Sequence, residues 1–359
     1  MTINLNNQIE NTKWGHLNQE DSPFLSYAFF NSLEKSGSIG ARSGWNPVYI
    51  EGQGENLLYS FIKDHSYGEY IFDWDWANFY HHQNVPYYPK LTSMVPFTSA
   101  TTPHFIGGPS SELMKEYEEF YLENDFSSSH FLFLTSDELS FFKSFDYILR
   151  ESFQYHFVND HYQSFEDFLA KFKNRKARQI KKERKFLDEI QINRYSGSKL
   201  KAEHGKEMFK FYLSTISKKQ AIPYLNENFF ERIFESLKDN ICYVQAKRND
   251  RSIAGALYFF CSERLYGRYW GAFEEIPYLH FELCCYQGIE FCIEKKLPVF
   301  EAGAQGEHKI ARGFRPVKTF SAHKLKNLNF HMAINEYINK EKLHLEHLLP
   351  SLNERLPFK

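Results

Sequence analysis

From Glu301 to Phe314 the chain reads Glu-Ala-Gly-Ala-Gln-Gly-Glu-His-Lys-Ile-Ala-Arg-Gly-Phe. Acids, an amide, an imidazole and two cations crowd between glycines, which permit close backbone approach to a bound molecule. Such a set can accept a proton, orient an amine and hold an anion. His308 and Glu307 form the candidate base or orienting pair. Lys309 and Arg312 are the candidate carboxylate or phosphate ligands, Gln305 the amide donor, and Glu301 a further substrate contact. His308, Lys309 and Arg312 would share one side of a short helical turn.

The segment follows Leu297-Pro298-Val299-Phe300, which predicts a helix end, a proline stop and a brief buried strand. The polar cluster thus leaves the carboxyl end of a strand, where a rigid sheet commonly holds binding loops. Upstream, Arg268, Tyr269 and Trp270 close another predicted strand, with rings to wall a site and a guanidinium to hold an anion. Glu282 shares a helix face with Cys285 and Ile289. A carboxylate on a largely apolar face has a raised pKa suited to a base. His280, two residues earlier in the same turn, reads rather as a surface or capping group.

With 359 residues, 42% of them hydrophobic and 18% aromatic, the chain can bury the cores of two domains. Its net charge of −2 excludes a global field for nucleic acid or anionic lipid, so any such affinity is local. The start lacks a basic segment followed by an apolar one, and no apolar run has membrane-spanning length. A cytoplasmic location is expected. Cys242, Cys261, Cys284, Cys285 and Cys292 have no zinc or Cys-x-x-Cys spacing and read as reduced, mostly buried thiols; no metal is expected.

Two segment pairs recur at almost one separation. Pro23-Phe-Leu with Phe29-Phe30 matches Pro223-Tyr-Leu with Phe229-Phe230, and Leu58-Tyr59-x-Phe61 with Tyr67-Gly68-x-Tyr70 matches Leu257-Tyr258-x-Phe260 with Tyr266-Gly267-x-Tyr269. The pattern predicts an internal duplication, with domains at 1–155 and 156–359. Each copy begins with a helix and continues into strands. Asn249-Asp250 supplies a hairpin turn in the second, and a helix follows from about 279 to 296, giving an α/β architecture of mixed sheets.

Ser164 to Asp167 has the form of a capping box and predicts a helix over 164–187 opening the second domain. Lys171, Arg175, Arg178, Lys182 and Lys185 recur along it at helical spacing. This stripe is a candidate polyanion surface, because arginine forks suit phosphate. In the first copy, Asp73-Trp-Asp-Trp76 and His81-His82 read as an aromatic rim with carboxylates able to contact sugar hydroxyls.

The sequence resembles the FemAB-like branch of the GNAT acyltransferase superfamily. The likeness rests on Ser66-Tyr-Gly-Glu-Tyr-Ile-Phe-Asp-Trp, Phe165-Glu-Asp-Phe-Leu-Ala, Arg175-Lys-Ala-Arg-Gln-Ile-Lys-Lys-Glu-Arg, Tyr266-Gly-Arg-Tyr-Trp-Gly, Leu279-His-Phe-Glu and Phe300-Glu-Ala-Gly-Ala-Gln-Gly-Glu-His-Lys. It implies two tandem GNAT-like domains facing across a cleft. It also implies an acyltransferase acting on an amine of a small-molecule or peptidoglycan-precursor acceptor, with acetyl-coenzyme A or another acyl-coenzyme A as donor. The alternatives are Fem-type aminoacyl transfer from transfer RNA and a recognition protein without turnover. The glycine-rich pyrophosphate loop of acetyl-coenzyme A enzymes is not visible after Ala272. The Fem-type Phe-Lys-x-x-Phe-Gly signature is matched loosely by Ala311-Arg312-Gly313-Phe314.

Overall fold

In a computed structural model that describes residues 4–17, 21–71, 73–303 and 306–359, Asn249 and Asp250 both take left-handed backbone, with φ of 50° and 59°. That geometry matches the twist of a tight antiparallel hairpin. The turn joins two long strands of the second half of the chain. Gln305 lies outside the described residues.

Along the first half run β1 (Asn4–Asn6), α1 (Tyr27–Lys35), β2 (Trp45–Glu51), β3 (Leu57–Lys63), α2 (Trp74–His82), β4 (Lys90–Ser93), β5 (Phe105–Ile106), α3 (Ser111–Glu123), β6 (Ser128–Leu132), α4 (Glu138–Lys143) and β7 (Ile148–Val158). The second half continues with α5 (Phe165–Ala170), α6 (Asn174–Lys185), β8 (Gln191–Ser196), α7 (Ala202–Lys218), α8 (Glu227–Ser236), β9 (Ile241–Arg248), β10 (Arg251–Phe260) and β11 (Arg264–Ala272). After it come α9 (Leu279–Phe281), a π-helical turn at Glu282–Tyr286, α10 (Gln287–Lys295), β12 (Val299–Glu301), β13 (Arg315–Leu325) and α11 (Leu328–Glu354).

The chain forms two units, 1–153 with 318–348 and 154–317 with 349–359. In the first, β1, β2, β3 and β4 pair antiparallel in order, β4 then pairs parallel with β6, and β6 antiparallel with β13. In the second, β8, β9, β10 and β11 are antiparallel, β11 pairs parallel with β12, and β12 antiparallel with β7. The pairing pattern is the same in both. Each unit's last strand comes from the other half of the sequence. Residues 318–348, which a single cut near 155 assigns to the second domain, therefore belong to the first unit.

The repeated Leu-Tyr-x-Phe falls on β3 and β10, the third strand of each sheet, and the repeated Pro-x-Leu precedes α1 and α8. The Tyr-Gly-x-Tyr match does not superpose. Tyr266–Tyr269 lie in β11, whereas Tyr67–Tyr70 lie in the loop before α2, a helix inserted between β3 and β4.

The helix predicted over 164–187 is interrupted. Ser164 caps α5 by accepting from the Asp167 amide at 3.1 Å, but the helix ends at Ala170. Lys171 O accepts from the Lys359 amide at 2.9 Å, and the Lys173 amide donates to Pro357 O at 2.8 Å. Residues 357–359 thus take up backbone groups that a continuous helix would use, and Phe172 is buried against Phe358. Among the described residues no helix is long and apolar enough to cross a membrane.

Candidate active site

β12 pairs with β11 over three residues, Arg264–Tyr266 against Val299–Glu301, and stops while β11 runs on to Ala272. Beyond Tyr266 the sheet lacks that neighbour. A cavity of about 190 Å³ opens beside it, lined on the β11 side by Gly267, Arg268, Tyr269 and Trp270 and on the other by Ala302, Gly303, His308 and Lys309. His280, Cys284 and Cys285 close it from α9 and the π-helical turn. The extra residue of a π turn re-aims side chains. Its displaced Leu283 carbonyl accepts from the Tyr258 hydroxyl, and Tyr258 also lines the cavity.

Lys309 lies on a helical turn at Glu307–Arg312, entered from Gly306 and left through Gly313, both at positive φ. Its Nζ donates to Ala302 O at 2.7 Å and Gly303 O at 2.9 Å. An ammonium has three N–H bonds, so one remains after these two. Burial lowers its pKa to about 8. His280 is pushed down to about 4 by burial and then by the positive charge of His308, Lys309 and Arg312. His308 is lowered by burial and then by Lys309 and Arg312. The two rings stand 5.7 Å apart. Burial raises Cys285 to about 11 and Cys284 further, so both remain thiols at neutral pH. Among the described lining residues there is no carboxylate.

The structure brings together Arg268, Tyr269, Trp270, His308 and Lys309. Tyr269 also packs against Tyr212 of α7 and Phe230 of α8, at 5.8 and 5.5 Å between ring centres. Trp270 is positioned from behind by Thr215, whose hydroxyl donates to its carbonyl at 2.6 Å. Glu301 is fully buried under the floor, held by Arg264 at 2.8 Å with Arg268 at 3.8 Å.

Three other candidates stand elsewhere. Glu282 turns away from the cavity into a bidentate pair with Arg184, both contacts 3.0 Å, and accepts from Gln287 at 2.7 Å. Glu307 is exposed and pairs with Arg355 at 3.0 Å. Arg312 is buried: it donates to Glu183 at 3.0 Å and to His308 O at 2.9 Å, with its guanidinium 3.3 Å from the Phe281 ring centre. It braces the helical turn that carries His308 and Lys309.

His280 and the cavity-facing Cys284 were passed over because helical spacing alone does not distinguish a core face from a cavity wall. Lys171 sits in the break between α5 and α6. Arg175, Arg178, Lys182 and Lys185 are exposed on α6, whose acid Glu183 is buried with Arg312.

The model of a family described as peptidoglycan biosynthesis/recognition matches residues 6–359. The chain belongs to this FemAB-like family. No curated protein matches its sequence. Among solved structures it is similar to FemX, with TM-score 0.53 and 10% identity over 93% of this chain and 100% of that one. It is likewise similar to a conserved protein of unknown function from Bacteroides thetaiotaomicron VPI-5482, with TM-score 0.53 and 12% identity over 90% of this chain and 100% of that one. At these identities the likeness is one of fold, in keeping with two GNAT-like units of mixed α/β topology.

The residues after β11 do not fit the diphosphate of coenzyme A. Phe273-Glu-Glu-Ile-Pro-Tyr278 contains no glycine, and α9 begins only after Tyr278 at φ 67°. Glu274 pairs with Arg248, and Glu275 with Lys218 at 3.3 Å, so the segment leading from β11 to α9 carries acids and no glycine where a phosphate would need closely approaching free amides.

Proposed function

We propose that the cavity of the second unit is an acyl-transfer site acting on an amine of a small-molecule or cell-wall-precursor acceptor. The observation that carries this reading is the Lys309 ammonium, fixed by two backbone carbonyls with its third N–H available to the cavity. As the acceptor nitrogen bonds to the acyl carbon, the carbonyl oxygen gains negative charge. A preorganised donor in a water-poor site stabilises that charge strongly. His308, neutral and on the rim, accepts the proton the attacking amine loses. The acyl carbon then parts from its carrier oxygen, which takes that proton back from His308 and leaves as a hydroxyl. Holding both substrates together supplies about 7–11 kcal/mol of the barrier reduction in well-oriented reactions, so no covalent intermediate is required.

For the donor, two observations favour aminoacyl-transfer RNA over acyl-coenzyme A: the acidic, glycine-free segment after β11, and the cations exposed on α6. The test is transfer of radiolabelled amino acids from a charged transfer RNA mixture to a soluble muropeptide amine, with acetyl-coenzyme A in parallel. Transfer from charged RNA that falls about 100-fold or more in Lys309→Met is expected. Transfer from acetyl-coenzyme A alone would overturn the donor assignment. Saturable muropeptide binding with no transfer from either donor would leave a recognition protein.

A further inference from the structure

The loop between β3 and α2 in the first unit is divided between two environments. Ser66, Glu69 and Asp73 point inward and converge on the fully buried Lys90 ammonium. Ser66 Oγ accepts at 2.8 Å, Glu69 Oε2 at 2.9 Å and Asp73 at short range. Asp73 also accepts from Tyr87 OH at 2.6 Å, and Ser66 Oγ lies 2.9 Å from Tyr88 OH. Between these anchors, Tyr67, Tyr70 and Trp74 face outward, 51%, 40% and 39% exposed.

The outward rings are held by more than the ion cluster. The Trp45 indole donates to Tyr67 O at 3.2 Å. Gly68, at φ 83°, packs so closely that a Cβ there would lie 2.7 Å from the Phe97 ring. Tyr70 is in left-handed backbone at φ 58°, a conformation costly for an aromatic residue. Burying a lysine and two acids is also costly unless they are mutually satisfied. A large exposed aromatic surface on so constrained a support has the character of a preorganised binding face.

We propose that Tyr67 and Trp74 form a carbohydrate-stacking platform on the first unit, a site separate from the transfer cavity. The Tyr67 and Trp74 rings meet at 5.4 Å with planes inclined by 58°, and His65 continues the row 5.3 Å from Tyr67. Flat ring faces suit the C–H faces of pyranose rings. Flanking charge selects the same ligand: the exposed carboxylates of Asp64, 4.0 Å from His65, and Asp75, which accepts from Tyr337 OH at 3.2 Å, retain acceptor oxygens for sugar hydroxyls, whereas Lys63 and Lys90 are buried. That arrangement repels phosphate and nucleic acid and accepts a neutral polyhydroxyl chain.

The test is calorimetric titration of the full chain with the N-acetylglucosamine tetramer, followed by tetramethylammonium as competitor. Saturable binding weakened roughly tenfold by Trp74→Ala and by Tyr67→Ala is expected, with unchanged thermal midpoints because both rings are on the surface. Lys90→Met, which releases the loop, weakens binding with those rings still present. Absence of saturable binding, or binding indifferent to both ring deletions, overturns the proposal. Displacement by tetramethylammonium would instead identify a cation cage. None of these outcomes depends on transfer activity.

Discussion

Lys309 titrates near pH 8, some way below an ordinary lysine, because its ammonium is desolvated in the cavity wall. The gap between 10.5 and about 8 amounts, at about 1.4 kcal/mol per pH unit, to about 3 kcal/mol of penalty on the charged form. The folded value lies below the unfolded one. The penalty is therefore complete below about pH 8 and is relieved as the pH rises towards 10.5, where the unfolded chain still holds the proton and the folded one has lost it. Replacing Lys309 by methionine removes the titration. The stability of the natural chain relative to Lys309→Met should then rise by about 3 kcal/mol between pH 7.5 and 10.5, measured by urea unfolding at matched pH. Groups common to both chains cancel in that difference. In parallel, the Cε resonance of ¹³C-labelled lysine that vanishes in the variant should move with a midpoint near 8. A midpoint at 10 or above, with a pH-independent stability difference, would mean a solvated ammonium and would refute the buried-donor argument.

Glu282→Gln should destabilise the chain by about 1–3 kcal/mol, since it breaks the fork to Arg184 in a partly buried site; a lower thermal midpoint with transfer retained is expected, and loss of transfer in a stably folded variant would return Glu282 to the chemistry. Arg312→Lys removes a guanidinium that serves Glu183, His308 O and the Phe281 ring together, and should cost roughly 2 kcal/mol in urea unfolding. In Gly271→Ala the new Cβ would stand 1.7 Å from Phe211 O of α7, so about 3 kcal/mol or more of destabilisation is expected, read as lost soluble yield or a lowered midpoint. Neutralising Arg175, Arg178 and Lys182 together should reduce the salt dependence of transfer RNA binding, by up to about 2.7 in the log–log slope if each meets a duplex phosphate; an unchanged slope would remove α6 from the donor surface.

What the sequence determined by itself was local, periodic or repeated. The Asn249-Asp250 turn, the strands on either side of it and the capped start at Ser164 follow from backbone preferences that need no distant partner. The two-unit architecture was legible because duplication leaves the same Leu-Tyr-x-Phe on the third strand of each sheet. The polar segment after β12 was also legible, since a strand must end before a loop can gather charges. Tertiary structure alone decided the partners. Arg184 is 98 residues from Glu282 in sequence, and Arg312 is 129 from Glu183. Nothing in the spacing of a carboxylate tells whether a remote guanidinium will neutralise it. The same limit explains the break after Ala170, imposed by residues 357–359, and the exchange of β7 and β13 between the units. It also explains why Lys309 and Arg312, one turn apart, diverge: one reaches two carbonyls at the end of a short strand and faces a cavity, while the other meets an acid from α6 and is enclosed.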